Sequence, residues 1–109
     1  VRFFPKRLEP SAVRPDCGGL QSLREKTYYP TSALTEGLEG RVLVEFIVGE
    51  DGDIESPEVV DGVSKILNQA ALRAVRRLKC TPGRERSRPV EAELTKTVVF
   101  ALPEKMDAS

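Results

Sequence analysis

The sequence predicts an α+β domain. A three-stranded antiparallel sheet carries two helices packed on one face, in the order helix, strand, strand, helix, strand. Three stretches predict it. Residues 40–61 read as a β-hairpin: Val42, Val44, Phe46 and Val48 alternate with Arg41, Leu43, Glu45 and Ile47, the turn Gly49-Glu50-Asp51-Gly52 follows, and a second extended run carries Ile54, Val59 and Val60. Residues 65–79 place Leu67, Ala70, Ala71, Ala74, Val75 and Leu78 at the spacings of one helix face. Residues 90–102 alternate again, with Val90, Ala92, Leu94, Val98, Phe100 and Leu102 on one side. A lone hairpin is marginal in water, so the helices must cover its apolar face.

The chain of 109 residues, 39% hydrophobic and 31% charged, fits one globular domain with a modest core. Residues 1–17 hold Pro5, Pro10 and Pro15 and show no period; they read as a linker or an arm over the surface, with Phe3 and Phe4 either docking on the domain or marking upstream structure. The domain proper is expected over 18–102, and 103–109 is a polar tail. The chain begins at Val1 and its one methionine is Met106, so a longer parent protein is expected, with any anchor or targeting segment upstream.

The elements follow in order. A short helix is expected over about 19–26, with Leu20 and Leu23 as its apolar edge. A second covers 30–36: Pro30 suits the first turn, Ala33 and Leu34 point inward, and Gly37 takes the left-handed position past the end. In the hairpin turn, Asp51-Gly52 puts the left-handed residue at Gly52. Ser64 caps the long helix, with Asn68 as an alternative start. Thr81-Pro82-Gly83 stops it, 84–88 is a charged loop, and Pro89 opens the last strand. Lys96 interrupts that strand's apolar side; either its stem snorkels at the rim or a bulge shifts the register.

Composition excludes several function classes. The 17 basic and 17 acidic residues cancel, giving no overall pull toward nucleic acid or membrane, and no apolar run reaches the ~20 residues needed to span a bilayer. Histidine is absent, which removes the commonest general base and metal ligand. There is no nucleophile elbow. Glu45, Glu93 and Lys96 could form an acid–base grouping, but chance readily supplies such pairs on a sheet, so catalysis is not expected. Arg73, Arg76, Arg77, Lys79, Arg84, Arg86 and Arg88 form one basic concentration, read as a solvated helix face and loop rather than a nucleic-acid or lipid site. Cys17 and Cys80 lack metal-ligand spacing. They are either two independent thiols or, in an oxidising compartment, a disulfide closing a long loop and contributing about 4 kcal/mol.

The run Tyr29-Pro30, Ala33, Gly37, Gly40, then the alternating strand, Asp51-Gly52 and Ile54, resembles the C-terminal domain of TonB proteins, the energy transducers of Gram-negative bacteria. Ala70-Ala71-Leu72, Ala74-Val75-Arg76-Arg77, Pro82-Gly83, Pro89-Val90 and the closing strand to Phe100 agree with it, so the resemblance covers about residues 20–102. Two positions depart: the family commonly carries an aromatic where Leu78 stands and another where Cys80 stands. The second departure favours the disulfide slightly. The proline-rich arm and Asp16-Cys17-Gly18-Gly19 look more like Bacteroidetes-type members.

The resemblance implies the periplasmic domain of an inner-membrane-anchored protein, without cofactor, metal or catalysis. An upstream helix engages a proton-driven motor complex, and a proline-rich spacer crosses the periplasm. The domain grips a short N-terminal segment of an outer-membrane receptor, and force opens that receptor for siderophore, vitamin or glycan uptake. The grip is strand addition to the free edge of the last strand, at Glu93, Thr95, Lys96, Thr97, Val98 and Val99. Tyr28 and Tyr29 are expected near the bound segment, against the plainer reading of Tyr29 as core. A homodimer by hairpin exchange suits a fold with open edges. The competing reading is an envelope sensor or scaffold domain fused to another membrane protein, such as a membrane peptidase.

Overall fold

A computed structural model describes residues 12–19, 23 and 26–102. The linker before residue 12, the tail 103–109 and most of the helix expected over 19–26 lie outside the described residues; within that last stretch Leu23 and Lys26 are helical. The described elements are α1 (Thr31–Glu36), β1 (Gly40–Val48), β2 (Ile54–Asp61), α2 (Lys65–Arg76), β3 (Gly83–Glu85), β4 (Arg88–Val90) and β5 (Ala92–Phe100). The main sheet is antiparallel in the order β2-β1-β5, and β3 and β4 form a separate two-stranded sheet.

Alternation in β1 decides the layering. Val42, Val44, Phe46 and Val48 are buried, and they share one core with Ala33 of α1, Leu67, Ala70, Ala71, Ala74 and Val75 of α2, and Val98 and Phe100 of β5. Both helices therefore lie on one face. The alanines let α2 approach the sheet closely, and Leu78, just past its end, completes the layer. The Ser64 hydroxyl caps α2 by accepting from the Leu67 N–H at 3.2 Å. The helix stops at Arg76 rather than 79, because the Arg77 and Leu78 N–H groups tighten back onto Ala74 and Val75.

Helix α1 starts after Pro30, whose extended ψ of 139° makes it the N-cap rather than a helical residue. Gly37 sits at φ 70°, with its N–H on Leu34 O and that of Leu38 on Ala33 O, a Schellman closure. Leu34, expected inward, is 40% exposed: six residues bury only Ala33.

The hairpin turn places Gly52 at φ 88°, and the Asp51 carboxylate accepts from the Asp53 N–H at 3.0 Å. A Cβ on Gly52 would overlap the Cys80 carbonyl oxygen. Gly52→Ala is therefore expected to cost about 2 kcal/mol by urea unfolding, from left-handed strain and displacement of the Cys80 backbone. A cost below about 0.5 kcal/mol would contradict the close packing.

The bounds of the C-terminal strands also depart from expectation, and the structure decides between the two readings of Lys96. The loop expected over 84–88 is the β3–β4 hairpin, turned at Arg86 (φ 53°) and Ser87 (φ 69°), and so the last strand begins at Ala92 instead of 90 and ends at Phe100. Lys96 marks no bulge: β1 and β5 stay in unbroken register from Gly40↔Phe100 to Val48↔Ala92, and the half-buried Lys96 faces the core side at its rim. The bulges lie in β2, where pairing with β1 shifts twice around Ser56 (φ 51°) and Val60. Pro57 is tolerated there because β2 is an edge strand.

Residues 13–16 lie antiparallel along 81–84. Val13 and Arg84 exchange N–H···O bonds of 2.9 and 2.8 Å, and Asp16 and Thr81 exchange bonds of 3.0 and 2.8 Å. Immediately beyond them Cys17 and Cys80 are joined by a disulfide across 63 residues of sequence.

Candidate partner-binding edge

Strand β5 pairs with β1 on one side and, among the described residues, has no strand on the other. Every second residue of such a strand directs its N–H and C=O away from the sheet, ready to pair with an incoming chain. The register sorts the side chains. Glu93, Thr95, Thr97 and Val99 share the outer face with Ile47, Glu45, Leu43 and Arg41 of β1, and Lys96 and Val98 lie on the core side. Val98 is 1% exposed, so only its backbone is available at the edge, whereas Val99 is 53% exposed. Glu45 and Glu93 lie on the outer face and Lys96 on the other, so these three do not converge.

A pocket of about 310 Å³ opens at the C-terminal half of this edge, lined by Leu23, Thr27, Tyr29, Thr97, Val99, Phe100 and Ala101. It takes residues from both faces of β5, so it wraps around the free edge. Its far wall is the segment carrying Leu23, Thr27 and Tyr29. Three hydrogen bonds set that wall: Thr27 Oγ1 donates to Leu23 O at 2.7 Å, Arg77 Nη1 to Lys26 O at 3.2 Å, and the Tyr29 hydroxyl to Leu38 O. The Tyr29 ring meets Phe100 edge-on at 5.4 Å and 76°. The wall's hydroxyls are thus engaged with backbone carbonyls, and Leu23, Tyr29, Phe100 and Val99 make the pocket largely apolar.

The two tyrosines separate. Tyr29 lines the pocket and also packs on the core, so it fits both readings of that residue. Tyr28 is 61% exposed and is not part of the lining. Desolvation, then the Glu39 carboxylate, raises the Tyr29 pKa above its ordinary 10.0. A raised pKa means that this contribution to stability is complete below the unfolded value and lost as pH rises through the folded one. Tyr29→Phe is expected to lose about 0.5–1.5 kcal/mol at neutral pH with the Leu38 bond and to flatten the stability decline above about pH 10. Urea midpoints from pH 7 to 11 measure both.

Sequence reasoning missed Leu23, Thr27, Phe100 and Ala101 as members of the site. Leu23 and Phe100 read as ordinary core residues, and nothing in the chain order signals that Leu23, Thr27 and Tyr29 return to the edge of β5. The seven basic residues from Arg73 to Arg88 are all exposed, and Arg77 also holds the Lys26 carbonyl. Among the described residues there is no cluster of His, Cys, Asp or Glu fit to hold a metal ion, and no helix long and apolar enough to cross a membrane.

Residues 25–102 match the family described as Gram-negative bacterial TonB protein C-terminal. The chain belongs to the TonB C-terminal family. Its sheet and helices match solved TonB C-terminal domains. The solution structure of the Helicobacter pylori TonB C-terminal domain aligns at TM-score 0.64 and 31% identity, over 77% of each chain. That of Pseudomonas aeruginosa TonB aligns at TM-score 0.64 and 25% identity, over 89% of this chain and 93% of the other. TonB of Helicobacter pylori strains J99 and 26695 is 39% identical over 56 residues, 50% of this chain. That match spans 20% of each TonB, so the relatives are much longer proteins.

Proposed function

We propose that this TonB C-terminal domain grips the N-terminal segment of an outer-membrane transport receptor by strand addition along β5, and so passes inner-membrane proton-motive energy to the receptor. The observation that carries the reading is the free edge of β5 with an apolar pocket wrapped around its C-terminal half. Backbone pairing supplies affinity with little demand on partner sequence, and the pocket fixes register through one or two side chains. Glu93, Thr95, Lys96, Thr97 and Val99, the Val98 backbone and Tyr29 form the contact, with Tyr28 at its margin.

The domain works in the periplasm, joined through upstream sequence to an inner-membrane anchor and its motor complex. The Cys17–Cys80 bond supports an oxidising compartment. The domain binds a protein segment and needs no cofactor, catalytic group or nucleic acid.

Titration of ¹⁵N-labelled domain with N-terminal peptides of the host's outer-membrane receptors is expected to shift the amides of 93–101 and of Thr27 and Tyr29. Shifts confined to β2 or to the outer surface of α2 would overturn the assignment. Proline scanning of residues 95–99 should alternate. At residues whose N–H faces outward it removes peptide binding and spares the fold; at their neighbours it breaks the pairing with β1.

A further inference from the structure

The Cys17–Cys80 disulfide lies where a pull on the N-terminal arm would otherwise enter the partner-binding site. The arm at 13–16 and the strand at 81–84 are antiparallel, and Val13 pairs with Arg84 at the end from which both chains leave. A load applied through the arm reaches this pairing at the Val13/Arg84 end and peels the arm from there. In that direction an antiparallel pair opens one hydrogen-bonded pair at a time, Val13/Arg84 first and Asp16/Thr81 second. The next residues in line are Cys17 and Cys80, and there the opening stops at a covalent bond.

Without that bond the load would continue along the backbone into 18–29, the segment whose Leu23, Thr27 and Tyr29 form the far wall of the pocket. The tie from Arg77 to the Lys26 carbonyl and that from the Tyr29 hydroxyl to Leu38 O would be the next to give way. A force meant for the partner would dismantle the site that holds it. With the bond in place the covalent path runs from the arm to Cys80, through the β3–β4 hairpin, and into the N-terminal end of β5. That hairpin also opens from its own end, so it yields slack without disturbing β1 or β5.

We propose that the Cys17–Cys80 disulfide is a load shunt: it carries tension from the N-terminal arm directly to the partner-binding strand and keeps the pocket wall out of the force path. The direction of load rests on the transducer reading above; the shunt itself rests on the connectivity.

Single-molecule pulling tests it, with one handle at the N-terminus and the other on an azide-bearing residue at the exposed position 99. In the oxidised protein the first extension step should be about 50 Å or less, the slack of the arm and the small hairpin. In C17S/C80S it should be longer, by up to about 40 Å, the full contour of the next twelve residues. Complete extension should be longer by about 220 Å, the 63 residues that the bond closes off. Reduction of the wild-type protein under load gives the same comparison if the double variant fails to fold.

A second measurement uses a synthetic receptor peptide as the distal handle. Zero-force affinity is expected to agree within about twofold between the two forms, while the bound lifetime under load shortens at least about tenfold without the disulfide, the factor one lost apolar contact produces. Equal first steps and equal loaded lifetimes would overturn the shunt. If no peptide binds either form, the transducer reading falls, and the position-99 handles still decide the load path.

Discussion

Replacing Phe46 with alanine is expected to lower the unfolding free energy by about 3–5 kcal/mol. Phe46 lies near the middle of β1, the central strand, opposite Leu94 of β5, and is 1% exposed. Truncation removes a large apolar side chain and leaves a cavity beneath α2 that neighbouring side chains fill only in part. A domain of this size has about 5–15 kcal/mol in total, so this one change takes a large share. The control is its neighbour, Ile47→Ala. Ile47 lies half-buried on the opposite face between Glu55 and Glu93, and its loss should cost clearly less. Urea unfolding of the two variants gives the comparison; equal costs would mean that the sheet is not one-sided.

Removing the disulfide with C17S/C80S is expected to cost about 4 kcal/mol, the chain-entropy value for a loop of 63 residues. Cys17 is almost fully buried, and its serine replacement adds a desolvated hydroxyl. The four arm hydrogen bonds then lack their adjacent staple and should exchange their amide protons faster. The urea slope should rise, because the unfolded chain is no longer held compact. A loss below about 1 kcal/mol would mean that the closed loop remains compact when unfolded. This is an equilibrium measurement at zero force, and it is independent of whether the bond carries load.

Much of the fold was legible because it rests on local rules. The alternation from Arg41 to Val48 announced the central strand, and the core face fell on the valines and Phe46. The spacing of Leu67, Ala70, Ala71, Ala74 and Val75 announced the face of α2, and Ser64 its start. Gly37 and Gly52 took the left-handed positions that their places in the chain required. The β3–β4 hairpin was not legible. A two-residue hairpin turn with φ positive at both positions ordinarily displays Asn or Gly, and here Arg86 and Ser87 occupy it. The sequence points Leu34 inward beside Ala33, but a six-residue helix has too little surface to bury both. The β2 bulges were hidden because Ser56-Pro57 reads equally well as a break or as part of an edge strand.

The α+β class, the apolar face of the hairpin, the amphipathic helix and the alternating last strand follow from local pattern alone, because period, caps and turn residues act over a few positions. The order β2-β1-β5, which among the described residues leaves one edge of β5 unpaired, comes from long-range packing. The same packing brings Leu23, Thr27 and Tyr29 across to that edge to form the pocket, and sets the arm against 81–84 with Cys17 on Cys80. Those contacts join residues far apart in the chain, and their partners are chosen by packing, which no local period records.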